Sequence, residues 1–472
     1  MKHFDIVVVG GGPGGYVAAI KAAQAGKKVA LVEKNKLGGV CLNWGCIPTK
    51  TLLKSVEVLQ SIRHSGDFAV KGIDAASATI DMVKLQQRKN SIVQKLTGGV
   101  GMLLKGNGVT VISGQGSFVD RHTLKIGDEI IQADNFIIAT GSVPAKPPIL
   151  VSGAEVCPCH APCTSHDICA PIIGSDEALD LTEVPTSLVI IGGGVIGIEF
   201  AYLYASLGAK VTVIELLDRI LPMVDREITG EVAKMLRGMG ITILTEAKVT
   251  GIVGNKVHYE AAGNEDSVVG EKILMSVGRV PNTDGLNIEA LGIEMNRRAI
   301  KVDAVMQTNV PGIYAIGDVN GASMLAHTAS MEGMVAVDHI LGHTVSLDYN
   351  RIPSCIYIQP EIAAVGLTEE QAREQYGEVL VGKFPIAASG KAMVQGENRG
   401  MVKVILEPQF QEILGVHIYG PHATDLIAEP ALAMNLEATA EEVAMSVHPH
   451  PTLSEILPEA FHAALGKAIH NL

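Results

Sequence analysis

A strand–glycine turn–helix–strand unit occurs twice in this chain, and no other feature restricts its fold as much. In the first copy the strand-like run 4–9 leads into Gly10-Gly-Gly12-Pro-Gly-Gly15. A helical stretch over 16–25 follows, then a second strand-like run, 28–32, that ends at Glu33. In the second copy the run 187–191 leads into Gly192-Gly-Gly194-Val-Ile-Gly197, a helical stretch, the run 210–214 and Glu215. From Gly15 to Glu33 and from Gly197 to Glu215 the separation is 18 positions in each copy. The pattern has a steric basis. Its first glycine permits a tight turn, its second lets a pyrophosphate approach the backbone, and its third lets helix pack on strand. The helix N-terminus offers oriented N–H groups and a positive dipole end. The acid can accept hydrogen bonds from ribose hydroxyls. One such pattern is weak, and glycine for close packing alone competes with it. Two copies with matching acids predict an α/β fold with two Rossmann-like dinucleotide-binding domains. Glu215 favours NAD over NADP at the second, because a carboxylate repels a 2′-phosphate.

A length of 472 residues fits about three domains. A net charge of -13 argues against nucleic acid or an anionic membrane as partner. The stretch 187–209 is long and apolar enough for a membrane span. Three consecutive glycines and Glu199 make it read as a buried strand, turn and helix instead. Seven cysteines form an odd set in a large chain rather than a disulfide scaffold. The chain reads as cytoplasmic, and its close cysteine pairs read as catalytic or metal-binding.

Cys41 and Cys46 lie in Gly38-Gly39-Val-Cys41-Leu-Asn-Trp-Gly-Cys46-Ile-Pro48-Thr-Lys50, a few residues after Glu33. Two thiols beside a dinucleotide site can move two electrons between a nucleotide and sulfur. Gly45 and Pro48 predict a helix beginning near Cys46, whose dipole stabilises a thiolate. Lys50 adds positive charge one turn on. The same spacing also serves as half a zinc site, although no second pair lies close in sequence. Near the other end stands His448-Pro-His450-Pro-Thr-Leu-Ser-Glu455. Glu455 can orient His450 and raise its basicity, which suits a base that deprotonates an incoming thiol. A capped surface histidine is the plain alternative.

Taken together, these runs closely resemble the pyridine-nucleotide-disulfide oxidoreductases, and among them the dihydrolipoamide dehydrogenases. The resemblance covers nearly the whole length. It is carried by residues 10–15, 38–50, Ala139-Thr-Gly-Ser142, 192–199, Val277-Gly-Arg279, Ile316-Gly-Asp318, Met324-Leu-Ala-His327 and 450–455. It implies FAD at Gly10, Gly12 and Gly15, with Glu33 on the adenosine ribose. Further FAD contacts would be Lys50, Gly116, Thr140, Gly141, Ser142, Asp318, Met324, Ala326 and His327, with Asp318 ending a strand. NAD would lie on Gly192, Gly194, Gly197, Glu215, Val249 and Gly278. A Lys50–Glu199 pair would sit near the flavin and tune it.

The resemblance also implies four segments. A FAD-binding domain (1–147) precedes an NAD-binding domain (148–277). A central segment (278–348) completes the FAD site, and a C-terminal α+β interface domain (349–472) makes a homodimer. In that family the His–Glu pair reaches the partner subunit's disulfide. The implied catalytic set is Cys41, Cys46, His450, Glu455, Lys50 and Glu199. The implied substrate is a lipoyl-bearing protein of a 2-oxoacid dehydrogenase complex or the glycine cleavage system. Cys41 would be the interchange thiol and Cys46 the one against the flavin.

Rival functions remain within reach of the same residues. A glutathione-reductase-like enzyme would carry basic residues after the second fingerprint, where Glu215 stands. A mercuric-reductase-like enzyme would carry a C-terminal cysteine pair, and 466–472 has none. A non-catalytic redox or metal sensor would not need both the dithiol and the His–Glu pair. One segment departs from the family. Cys157, Cys159, Cys163 and Cys169 lie with His160 and His166 within 13 positions. That density would bind a soft metal, but an exposed, functionally minor insertion is the favoured reading, a local disulfide is a further alternative, and no metal site is assigned. Cys355, in a strand-like run, reads as a buried, inert thiol.

Overall fold

The computed structural model describes residues 2–147, 149–152 and 171–470. The cysteine-rich segment 157–169 lies outside the described residues. The chain divides into two compact units. The first comprises Met1–Thr51, Val83–Pro147 and Val277–Tyr349, and the second Leu52–Met82, Pro148–Ser276 and Asn350–Leu472.

The first unit is built on a seven-stranded sheet. Strand Lys2–Val9 is central, because its inward residues Phe4 and Ile6–Val9 are almost wholly apolar and buried. Runs buried on both faces belong to parallel sheets. Parallel neighbours Val29–Glu33 and Glu129–Ile138 flank it, and Thr110–Ser113 lies beyond the former. The long strand Glu129–Ile138 changes partners along its length. Its first half pairs antiparallel with Thr123–Ile126, and its last three residues pair in parallel with Ile313–Ala315. The sheet order reverses beside Lys2–Val9, which is where ligands bind in open α/β sheets. Helices Pro13–Gln24 and Ala326–Ile340 cover one face through Ala18, Ala19, Ala22, Val335 and Ala336.

The second unit holds two further sheets of this scale. One is a five-stranded parallel sheet in the order Thr242–Leu244, Lys210–Ile214, Ser187–Ile191, Lys272–Met275, Ile172–Ile173. The other is a five-stranded antiparallel sheet, Ser354–Ile356, Glu361–Gly366, Ile413–Gly420, Met401–Leu406, Leu380–Pro385. Helix Ile456–Ala464 closes this sheet. Gly382 makes the contact possible, since a Cβ there would lie 2.1 Å from Ala464 N. Among the described residues no helix is long and apolar enough to cross a membrane. The apolar stretch 187–209 is the strand Ser187–Ile191 and the helix Val195–Leu207.

Cys355 departs from its expected environment. It sits in strand Ser354–Ile356 but is only half-buried, packed against the core of the antiparallel sheet. Edge position explains this, because the strand has a neighbour on one side only.

Candidate active site

The two glycine turns are built alike. Gly10 takes φ +112°, and a Cβ on it would lie 2.2 Å from Ala139 O. A Cβ on Gly15 would lie 1.9 Å from Gly10 O, so only glycine lets helix Pro13–Gln24 rest on the turn. A Cβ on Gly12 would meet only Gly39 Cα, at 3.9 Å. Glu33 Oε2 accepts from the Gly11 N–H at 2.7 Å and Oε1 from the Asn35 N–H at 2.7 Å. In the second copy Gly192 takes φ +108°, and a Cβ on Gly197 would lie 2.1 Å from Gly192 O. Gly194 has no atom within 4 Å of an added Cβ. Glu215 Oε2 accepts from the Gly193 N–H at 2.6 Å and Oε1 from the Leu217 N–H at 2.8 Å. Each turn is an open backbone cradle at a helix N-terminus, with a fixed carboxylate that keeps lone pairs for ribose hydroxyls. Both fit a dinucleotide. Gly197→Ala should therefore push helix from strand at a cost of about 3 kcal/mol or more. Calorimetric titration of NAD+ should then detect no binding, and normal binding would contradict the steric argument.

Cys41 lies in the short helix Gly39–Trp44, and Cys46 opens the 18-residue helix Cys46–Arg63. The helix start is where the sequence predicts it. This segment packs on the first cradle. The Gly38 N–H donates to Gly11 O at 2.8 Å, and a Cβ on Gly39 would come within 2.7 Å of Gly12 Cα. Both cysteines are thiols and half-buried. The Cys41 thiol is held well above its ordinary range, first by its side-chain hydrogen bond to Cys46, then by burial and by negative charge on Cys46. Lys50 and the Cys46 N–H oppose this. Cys46 stands at a helix N-terminus, where the dipole favours a thiolate.

The other predicted FAD contacts fall in the first unit. The Thr140 hydroxyl donates to Asn282 O at 2.6 Å, and Gly141 takes φ +69°. The Ser142 hydroxyl donates to Asp318 Oδ2 at 2.5 Å and accepts from Arg279 Nε at 2.8 Å. Asp318 does not end a strand: it lies in the 3₁₀ turn Gly317–Asn320, beyond strand Ile313–Ala315. Glycine at 317 imposes that turn by taking φ +71°. Gly116 is buried at the start of strand Gly116–Asp120. Met324 and His327 are exposed, and Ala326 begins helix Ala326–Ile340. Lys50 is half-buried in the first turn after Cys46. Gly278 takes φ +106°, also in the first unit.

Glu199 and Val249 belong to the second unit. Glu199 is 4% exposed within an apolar helix and accepts from the Tyr357 N–H at 3.0 Å. Val249 is half-buried in strand Ala247–Val253. The two histidines of the Pro-rich run differ sharply. His448 is half-buried, with Nε2 2.8 Å from Glu429 Oε1 and Nδ1 2.9 Å from Ser446 O. His450 has an 80% exposed ring with Nδ1 2.9 Å from Glu455 Oε1. Glu455 Oε2 accepts from the Thr452 N–H at 2.8 Å. That N–H, then His450, holds the Glu455 carboxyl below its usual range. A charged carboxylate on Nδ1 assigns the proton there and leaves Nε2 as the basic atom.

Sequence reasoning missed Arg279 as a site residue, and Glu332 altogether. Glu332 is fully buried and accepts from the Gly317 N–H at 2.5 Å, Asn320 Nδ2 at 3.0 Å and the Tyr349 hydroxyl at 2.6 Å. It braces the turn that carries Asp318. A carboxylate inside the otherwise apolar stretch 331–337 was the available signal.

The sequence model described as "Pyridine nucleotide-disulphide oxidoreductase" matches residues 4–333, and that family's dimerisation domain matches 352–461. The chain is 41% identical to a dihydrolipoyl dehydrogenase of Bacillus subtilis (strain 168), over 98% of this chain and 99% of that one. It is 43% identical to that of Geobacillus stearothermophilus, over 99% and 97%. Among solved structures it is similar to the Cu(II) complex of the HOCl-induced flavoprotein disulfide reductase RclA from Escherichia coli. There the TM-score is 0.84 and the identity 30%, over 98% of this chain and 99% of that one.

Proposed function

Because the chain belongs to the pyridine nucleotide-disulphide oxidoreductase family and is an NAD-dependent flavoprotein disulfide oxidoreductase, we propose that it oxidises protein-bound dihydrolipoyl groups to lipoyl groups and reduces NAD+. The observation that carries this reading is the Cys41–Cys46 dithiol packed on the first glycine cradle. Full-length likeness to dihydrolipoyl dehydrogenases supports the choice of substrate.

In the oxidised enzyme Cys41 and Cys46 form a disulfide. His450, held by Glu455, takes a proton from one substrate thiol at Nε2. The resulting thiolate attacks Cys41, and Cys46 leaves as a thiolate beside Lys50. The second substrate thiol then attacks the mixed disulfide and displaces Cys41, which takes up its proton; the lipoyl disulfide closes, leaving a Cys41 thiol, a Cys46 thiolate and a protonated His450. FAD would supply the two-electron redox chemistry that links this dithiol to NAD+. Gly10, Gly12, Gly15 and Glu33 would hold FAD, with Asp318 on its ribityl chain. Gly192, Gly194, Gly197 and Glu215 would hold NAD. Lys50 and Glu199 would neutralise one another near the flavin. The exposure of the His450 ring suits a homodimer in which it serves the partner subunit's Cys41. Segments 1–147, 148–277, 278–348 and 349–472 would divide the labour as FAD, NAD, central and interface parts of a cytoplasmic enzyme.

A second reading takes a soft metal ion as the dithiol's substrate, and likeness to the Cu(II) complex supports it. The higher identity to dihydrolipoyl dehydrogenases favours the first. One anaerobic experiment separates them. Dihydrolipoamide added to the yellow protein should produce a long-wavelength thiolate–flavin band, and NAD+ should then yield NADH while NADP+ does not. A flavin unchanged by dihydrolipoamide would sink the first reading.

A further inference from the structure

The second unit buries a cation that the reaction does not use. Lys403 lies in strand Met401–Leu406 with 3% of its side chain exposed. Its Nζ is 2.9 and 3.0 Å from the two carboxylate oxygens of Asp225, 2.7 Å from Glu369 and 3.2 Å from Glu227. Arg373 pairs with Glu369 at 2.8 Å and Lys383 with Glu227 at 2.7 Å. Three carboxylates therefore meet three cations, which is the condition for burying such charges.

Asp225 is the centre of this joint. Its Oδ1 accepts from the Glu227 N–H at 3.1 Å and caps helix Arg226–Gly238. Its Oδ2 accepts from the Glu369 N–H at 3.3 Å, where helix Glu369–Tyr376 begins. Burial acts to raise the Asp225 carboxyl, and Lys403 overrides it, leaving the group below its ordinary range. His417, on the adjacent strand Ile413–Gly420, stays neutral through burial and bonds Leu367 O at 2.8 Å.

What the joint holds is the segment 216–225, which leaves Glu215 and folds back over the second glycine turn. The Leu221 N–H donates to Gly193 O at 2.9 Å, and a Cβ on Gly193 would lie 3.0 Å from Ile220 Cγ2. Leu221 is kept at φ +48°, a conformation a leucine adopts only when its surroundings impose it. Glu215 itself grips the same turn through Gly193 N–H. We propose that Lys403 is a positioning residue for the pyridine nucleotide. Through Asp225 it fixes segment 216–225 against the glycine turn and so sets NAD affinity, although it lies about 200 positions away in the dimerisation domain. The assignment rests on the reading that NAD occupies this second turn.

Three variants of the holoenzyme test it. Lys403→Met leaves buried carboxylates uncompensated. Lys403→Met combined with Asp225→Asn restores charge balance and keeps a capping side chain, which guards against simple unfolding. The NAD+ dissociation constant, by calorimetric titration, should rise about tenfold in the double variant, equivalent to about 1.4 kcal/mol. Flavin content and the rate of flavin reduction by dihydrolipoamide without NAD+ should stay within about twofold of the parent, because neither involves this segment. Lys403→Arg should recover most of the affinity. An unchanged dissociation constant in the folded double variant would overturn the assignment, as would an equal loss of NAD+ affinity and of the rate of flavin reduction. If the parent itself is not reduced by dihydrolipoamide, the substrate reading fails. The ratio of NAD+ dissociation constants still decides the role of Lys403.

Discussion

Cys46→Ser should abolish dihydrolipoamide-dependent NADH formation while the protein stays yellow. A serine cannot form the disulfide that the substrate thiolate opens, so the two-electron step has no acceptor. Serine also withdraws the charge that the start of helix Cys46–Arg63 is built to stabilise. The substitution removes little volume, and the contacts that seat this segment are backbone ones, Gly38 N–H to Gly11 O and the close approach of Gly39 to Gly12. FAD should therefore remain. Electron transfer from NADH to an artificial acceptor should persist, since it needs the two nucleotides and not the sulfurs. The comparison is made by absorbance of the purified variant and by both assays side by side. Loss of FAD would mean that Cys46 is a structural residue, and retained dihydrolipoamide turnover would mean that the disulfide is not the route.

His450→Ala should lower dihydrolipoamide turnover about 100-fold or more, the scale of a positioned general base. The effect should be confined to the thiol half of the reaction. His450 is exposed, paired through Nδ1 with Glu455, while its neighbour His448 is half-buried between Glu429 and Ser446 O. NADH oxidation by an artificial acceptor should therefore stay within about twofold. The sign of the pH effect follows from Glu455. Its carboxyl is held below its usual range, first by the Thr452 N–H and then by His450. The contact it contributes is present above the ordinary carboxylate range, near pH 4, and is lost as pH falls through its depressed value. It should thus be intact throughout neutral pH. Equal losses in both assays would remove His450 from the role of base.

The His450–Glu455 contact was legible because five residues of Pro-bounded chain leave few ways for the side chains to part. Its distinction from His448 was not legible, because Glu429 comes from a different helix. The placement of Asp318 in a 3₁₀ turn rather than at a strand end depends on Gly317, whose φ no pattern of hydrophobicity reports. Cys355 looked like a core residue by its apolar neighbours, but an edge strand covers it on one side only.

By itself the sequence determined the two glycine turns, their acids, the cysteine helix start and the family. These are local matters: steric clash within a few residues, a dipole at a helix end, a carboxylate at a strand end. Tertiary structure alone decided that Ile313–Ala315 joins the sheet of Lys2–Val9 through Glu129–Ile138, that Glu332 braces the Asp318 turn, and that Lys403 is neutralised by Asp225, Glu227 and Glu369. Strand pairing and buried charge both depend on partners brought from far along the chain. A carboxylate or ammonium in sequence reads as a solvated surface group until its counter-charge has been found in space.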